Sequence, residues 1–263
     1  MQIAALKTLK VSIDNGVCSV VMNRPHKRNA LSKEMVNELV YCLEEAADNS
    51  DIRVVVLEGA EGTFCTGADL SGMATPLPTG PEAIPHRGGV VELNLAFTRI
   101  GKPVIAKIRK YALGGGLGLV CAAHFAFAED TAQMGTPEIH VGLFPMMIMA
   151  NIFRTVGKRV GLEMILSGER MSASKAAEIG LINAAVPADE LDTHVAKWAD
   201  MLVNRPPEVM QLGLRAYHVQ DHMSVDDALP YLEKQLHETM STKDAQKGLT
   251  AFLTKTKPDW RTP

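Results

Sequence analysis

Three consecutive glycines, Gly114, Gly115 and Gly116, stand between a short apolar run, residues 104–108, and an apolar stretch of helical character. Glycine admits backbone conformations that a β-carbon forbids and lets the chain come close to a ligand. The first N–H groups of a helix have no partner inside it and carry the positive end of its dipole. A helix starting at this turn would therefore aim donors at negative charge, an oxyanion above all. A tight strand-to-helix turn packed for its own sake uses the same residues, so the cluster alone leaves both readings open. Thr66-Gly67-Ala68-Asp69, after another apolar run, is suited to offering a backbone N–H outward, with Asp69 as a candidate helix cap. Glu138 follows Pro137 and precedes Ile139, Val141, Leu143, Phe144 and Pro145. A carboxylate in such company is either paired in the interior or facing a cleft, and burial disfavours its charged form and moves it toward useful basicity.

Other chemistries fit less well. A dinucleotide fingerprint on this turn requires glycine at 119 or 121, where Leu119 and Cys121 stand, and no Walker lysine follows. The apolar run around 113–128 is short, broken by glycine and interrupted by His124, which argues against a membrane span. His218 and His222 share a helix face at i, i+4, but no HExxH accompanies them, and a solvated face is the simpler reading. Cys18, Cys42, Cys65 and Cys121 are too scattered for a disulfide framework or a zinc pattern; Cys65 reads as a small buried residue and not as a nucleophile. No metal site and no separate cofactor are expected.

The elements that must position these residues are legible. Residues 6–13 and 17–22 read as two strands joined at Asn15-Gly16, a hairpin turn. After the basic cluster His26-Lys27-Arg28, Ser32 caps a helix to about Asn49. The β-branched run Arg53 to Gly59 reads as a strand buried on both faces of a mostly parallel sheet, where ligands bind beyond the carboxyl ends of the strands, here residues 60–70. Between Thr75 and Gly89, four prolines and three glycines without periodicity mark a long loop, read either as a lid or as plain disorder. A short helix over 90–100, the glycine element and a strand over 125–128 follow. The spacing then predicts helices over 146–156 and 160–167, a Ser172-capped helix ending at Gly180, and a last strand reaching Val186. Amphipathic helices over 189–204, 208–220, 225–240 and 243–254 complete the chain, as an oligomer interface or as a cap on its own core. Repeats and low-complexity segments are not evident.

With 263 residues and 46% hydrophobic content the chain can bury a real core of α/β kind with an appendage. A net charge of −3 gives no basic field for nucleic acid and no pattern for a membrane surface. The opening residues run directly into strand-like sequence, so no signal peptide is expected, and the thiols fit a reducing cytoplasm.

Six stretches, taken in order, resemble the crotonase, or enoyl-CoA hydratase/isomerase, superfamily: VVMNRPHKRNALS, RVVVLEGAEGTFCTGADL, KPVIAKIRKYALGGGLGL, MGTPEIHVGLFP, SASKAAEIGLINAAVP and KGLTAFLTKTKPDW. The resemblance implies an α/β spiral of ββα units over residues 1–200 and a C-terminal helical trimerisation region over 201–263, with trimers commonly paired into hexamers. It implies a coenzyme A thioester as substrate, with the backbone N–H groups of Ala68 and Gly115 forming an oxyanion hole and Glu138 as acid/base. Arg28 would lie near the CoA phosphates, and Phe252 and Lys255 would approach the nucleotide end of CoA from a neighbouring subunit. Two-glutamate hydratases of the family carry their first acid/base glutamate two residues after the glycines, where this chain has Gly118. Moving a double bond from C3–C4 to C2–C3 shuttles one proton, which a single carboxylate beside an oxyanion hole can do; hydration on a reduced set stays open. Arg109-Lys110 and the run MMIMAN after Pro145 also depart from the family pattern. Met146, Met147 and Met149 read either as an adaptable acyl pocket or as plain core. The alternatives are a hydrolase or retro-aldol enzyme on a β-dicarbonyl substrate, assisted by His140 or His124, and a non-catalytic CoA-thioester-binding homologue.

Overall fold

The Asn15-Gly16 turn joins β1 (Leu9–Asp14) to β2 (Val17–Met22) in an antiparallel hairpin, with both turn residues at positive φ as a tight two-residue connection requires. The computed structural model describes residues 6–72, 76–77, 79–80 and 83–261. Ser32 accepts a hydrogen bond from the Met35 N–H at 3.1 Å and starts α1 (Lys33–Asp48). Next come β3 (Val54–Gly59), α2 (Val90–Arg99) and β4 (Val104–Ile108), the two strands pairing in parallel. With β6 (Phe125–Glu129) and β9 (Ala184–Val186) they form a six-stranded sheet in the order β1-β2-β3-β4-β6-β9, parallel apart from the opening hairpin.

The parity of β3 shows why its sequence is a continuous apolar run. Val55 and Leu57 face the main core, while Val54 and Val56 face a second core with Ile105 and Phe127. That second core is closed by α6 (Leu191–Val203), through Leu191, Val195, Ala199, Leu202 and Val203. Successive strand residues point to opposite faces, so a strand covered on both sides needs apolar residues throughout.

A smaller sheet of β5 (Tyr111–Leu113), β7 (Gln133–Gly135) and β8 (Arg170–Ser172) stands beside the first, β5 parallel to β7 and β7 antiparallel to β8. The chain steps from β4 to β5 and into α3 (Gly115–Ala122), then from β6 to β7 and on to α4 (Met149–Ser167). These repeated strand-strand-helix steps are the expected spiral. The two helices read for 146–167 form one run from Met149, divided at Gly157, whose φ of 73° and ψ of 177° are not helical. Ser172 caps α5 (Ala173–Glu178), as its sequence predicts.

Three further helices, α7 (Pro207–Gln220), α8 (Val225–Met240) and α9 (Lys243–Leu253), pack on one another, and α7 also touches α2. They leave Tyr217, Val225, Leu229, Leu236, Leu249 and Phe252 exposed. Of the expected loop, Thr75, Pro78 and Pro81 lie outside the described residues. Its end is held to α1, where the buried Asn37 donates to the Pro85 carbonyl at 3.1 Å and accepts from the Arg87 N–H at 2.6 Å. No helix among the described residues is long and apolar enough to cross a membrane.

Candidate active site

The site begins where the neighbouring strands β5 and β7 end. Leu113 and Gly135 are register partners, and the Gly114 N–H donates to the Gly135 carbonyl at 2.9 Å. The glycine turn and the turn bearing Glu138 therefore leave adjacent parallel strands at the same, carboxyl end, the end at which open α/β sheets bind ligands. Gly114 has φ 51° and ψ −123°, a conformation that belongs to glycine, and a β-carbon there would stand 2.8 Å from Glu138 Oε1. Gly116 is needed for a different reason. A β-carbon on it would lie 2.4 Å from the Cys65 carbonyl oxygen, so α3 reaches the 63–69 segment only because none is present.

That segment is extended on both sides. The Cys65 N–H donates to the Tyr111 carbonyl and the Leu113 N–H to the Cys65 carbonyl, both at 2.9 Å, while Leu31 donates to Gly67 at 2.8 Å and accepts from Asp69 at 2.9 Å. Alternate amides of an extended chain point opposite ways, so with Gly67 and Asp69 bonded to Leu31 the Ala68 N–H points away from it. Ala68 is exposed, and a β-carbon placed on Gly115 would lie 3.7 Å from its nitrogen. The Gly115 N–H is the first of α3 and has no acceptor within the helix. Among the described residues neither N–H has a hydrogen-bond partner. Two N–H groups without partners thus lie near each other, and that of Gly115 follows the glycine that packs against the carboxyl group of Glu138.

Glu138 sits in a 3-10 turn, Pro137–Val141, opened by proline and closed by Gly142 at φ 73°. Thr136, fully buried, anchors the turn through its hydroxyl to the Met164 carbonyl at 2.9 Å. Glu138 Oε2 is buried without a hydrogen-bond partner. Burial raises its pKa above the ordinary carboxyl value, against a smaller lowering by its own backbone amide. Of the two readings of this residue, pairing in the interior does not hold for Oε2, which has no partner among the described residues. A half-desolvated carboxylate next to two unpartnered N–H groups can take a proton from a carbon beside a carbonyl while the donors stabilise the resulting oxyanion.

Of the scaffold around this centre the sequence offered only Asp69, as a cap. Arg24 donates to Asp69 Oδ2 at 2.7 Å, and Asp69 also accepts from the Ser71 hydroxyl and the Gly72 N–H. Asp69 thus caps a short 3-10 turn, Leu70–Gly72, and ties it to the loop before α1. Asn29, fully buried, donates to the carbonyls of Ala60 and Thr63 and accepts from the Arg24 N–H. The Ser71 hydroxyl and then the Arg24 guanidinium hold the Asp69 carboxyl down at about 2, from 3.8. A depressed carboxyl stabilises the fold fully above its unfolded value, and the gain is lost as pH falls through about 2. We expect Asp69→Asn to cost about 2 kcal/mol at neutral pH, and thermal unfolding should show parent and variant converging in strong acid.

The other named residues lie as follows. Arg28 is exposed at φ 49°, and its carbonyl accepts from the Thr66 hydroxyl at 3.3 Å, which sets it at the rim of the Ala68 loop. Phe252 and Lys255, at the end of α9, are exposed and have no hydrogen bond or ion pair to the centre among the described residues. Cys65 is buried and its thiol is pushed up to about 12, as suits a structural residue. His218 pairs across the fold with His124, Nε2 to Nε2 at 3.4 Å, and not with His222. The Val104 N–H donates to His124 Nδ1, so the neutral ring holds its proton on Nε2 and points it at His218. Burial, then His218, lowers the His124 pKa to about 4. His140 Nε2 donates to the Gly168 carbonyl at 3.2 Å. Both candidate assisting histidines are therefore engaged elsewhere, and no metal-binding group of three or more His, Cys, Asp or Glu occurs among the described residues.

Gly118 lies one turn into α3, with its N–H donating to the Gly114 carbonyl at 3.1 Å. A β-carbon on it would meet Ile148 Cγ2 at 2.3 Å. Nothing in the sequence links these two positions.

A protein of Escherichia coli, 2,3-dehydroadipyl-CoA hydratase, is 31% identical over 264 residues, covering 97% of this chain and 99% of its own. The Mycobacterium bovis protein named "Probable enoyl-CoA hydratase echA8" is 31% identical over 255 residues, covering 97% and 98%. The crystal structure of an enoyl-CoA hydratase of Mycobacterium smegmatis superposes with a TM-score of 0.89 at 29% identity, over 97% of this chain and all of that one. A model of the enoyl-CoA hydratase/isomerase family matches residues 12–263, and the chain belongs to that family.

Proposed function

We propose that this protein acts on an enoyl-CoA through a thioester enolate, with the Ala68 and Gly115 N–H groups holding the developing oxyanion and Glu138 moving the proton. The observation that carries this reading is the buried, unpartnered Glu138 Oε2 on a residue whose other oxygen packs against Gly114, next to a free N–H. Each donor in such a hole is worth about 2.7–4 kcal/mol once charge develops on the oxygen. Position 118 offers no second carboxylate, so the chemistry assigned to this site is double-bond isomerisation: Glu138 takes a proton from Cα of a 3-enoyl thioester, the C3–C4 double bond moves to C2–C3, and the same proton is delivered to C4. The relatives' names favour hydration as the second reading.

The purified protein incubated with 3-enoyl- and trans-2-enoyl-CoA, resolved by chromatography with mass detection, separates these. Interconversion without mass gain supports isomerisation. Gain of one water supports hydration, and no change in either substrate removes both.

Arg28 is assigned to the CoA phosphates on its place at the rim. For Phe252 and Lys255 the assignment rests on family resemblance and requires a second copy of the chain, which the exposed apolar residues of α7, α8 and α9 would join as a trimer or hexamer. Lys255→Ala is expected to raise KM several-fold for CoA thioesters and leave truncated pantetheine thioesters unaffected; equal effects on both would remove the assignment. Four free cysteines suit a reducing cytoplasm.

A further inference from the structure

Ile148 is the first buried residue after a run of exposed side chains, Met146 at 61% and Met147 at 45% exposure against 5% for Ile148. It is held in place because its carbonyl accepts from the Asn151 and Ile152 N–H groups as α4 begins, and Pro145 accepts from Met149 at 3.0 Å. Its side chain lies against α3 at Gly118, whose β-carbon position is 2.3 Å from Ile148 Cγ2 and 2.9 Å from its Cβ. Gly118 is inside a helix, where no left-handed backbone calls for glycine, and the position opens on no empty space. Contact with Ile148 is what excludes a side chain there.

The direction of that contact matters. Helix side chains tilt back toward the N-terminus, so a group on residue 118 would lean toward Gly114, one turn earlier, whose own β-carbon position meets Glu138. The space next to residue 118 is thus filled by a branched hydrocarbon that can neither bind nor activate water.

We infer that Ile148 determines the reaction of this enzyme, filling the place from which a second acid/base or a bound water would reach the substrate and so confining proton transfer to the Glu138 side. This rests on the enolate reading proposed above. With no water opposite Glu138, the dienolate has one outcome: the proton taken from Cα is returned at C4, and no C–O bond forms at C3.

The test is product partition in 18O-labelled water with 3-enoyl- and trans-2-enoyl-CoA. For the parent protein, 18O-labelled 3-hydroxyacyl-CoA should form at least about 100-fold more slowly than the double bond moves. Gly118→Glu alone should not hydrate, because its side chain has no room. Gly118→Glu combined with Ile148→Ala should raise 18O incorporation at least about tenfold over the parent, within the range of one positioned acid/base. Ile148→Ala alone leaves space where the isoleucine side chain packed against Gly118. In deuterated water it should raise solvent label in the isomerised product several-fold, and this provides a reading if the double variant does not fold. Comparable rates of hydration and isomerisation in the parent, full hydration by Gly118→Glu alone, or unchanged label in Ile148→Ala would each overturn the role of Ile148. If Glu138→Gln still abolishes turnover in that event, the enolate reading survives; if Glu138→Gln remains active, the failure belongs to that reading.

Discussion

Replacing Glu138 by glutamine is expected to lower turnover of enoyl-CoA by about 10²–10⁴-fold while leaving thioester binding largely intact. Glutamine keeps the shape and polarity of the side chain but cannot accept the substrate proton. On the proposed reading the thioester is held by other groups, the backbone amides of Ala68 and Gly115. The same substitution should stabilise the fold near neutral pH. Burial raises the Glu138 pKa above its ordinary value, so ionisation opposes folding. That cost is absent below the unfolded value and grows to its full size as pH rises through the folded one. Thermal unfolding should therefore show a higher Tm for the variant at neutral pH and a shrinking difference in acid. In the parent, kcat/KM should rise with pH through a value above the usual carboxyl range, and that limb should vanish in any residual activity of the variant. An active glutamine variant would remove Glu138 from the mechanism.

Gly114→Ala is expected to have the next largest effect on turnover, about 10²-fold. Two penalties coincide there. The residue sits at φ 51° and ψ −123°, which an L side chain resists, and its new methyl would lie 2.8 Å from Glu138 Oε1. The carboxyl group is the far end of a flexible side chain and will yield. The displacement falls on the proposed acid/base and on the amide beside it, where a shift near 1 Å is costly to rate. Far-UV circular dichroism and the Tm should separate this from Gly116→Ala, whose methyl would meet the Cys65 backbone at 2.4 Å and which should lose stability before activity can be judged. Turnover in Gly114→Ala equal to the parent would mean that the carboxyl position is not what the glycine turn protects.

The sequence alone determined most of the elements and the inventory of groups, but not the three-residue strands β5, β7 and β8, which are too short to carry a period. Period-2 and period-3.6 patterning, Asn15-Gly16 and the capping residues Ser32 and Ser172 located the longer strands and the helices to within a few residues, because each signal is local. The glycine triplet and Glu138 were legible as chemistry for the same reason. Tertiary structure decided what those groups face. That Glu138 is unpaired and not a satisfied interior carboxylate depends on β5 lying beside β7. That the Ala68 N–H is free depends on Leu31 taking both its neighbours. His218 finds His124 across the fold and not its helical neighbour His222. Gly118, which reads in the chain only as the absence of a glutamate, becomes in the fold the seat of Ile148. Contacts between residues far apart in sequence leave no periodic trace in either segment, so only the packed chain could reveal them.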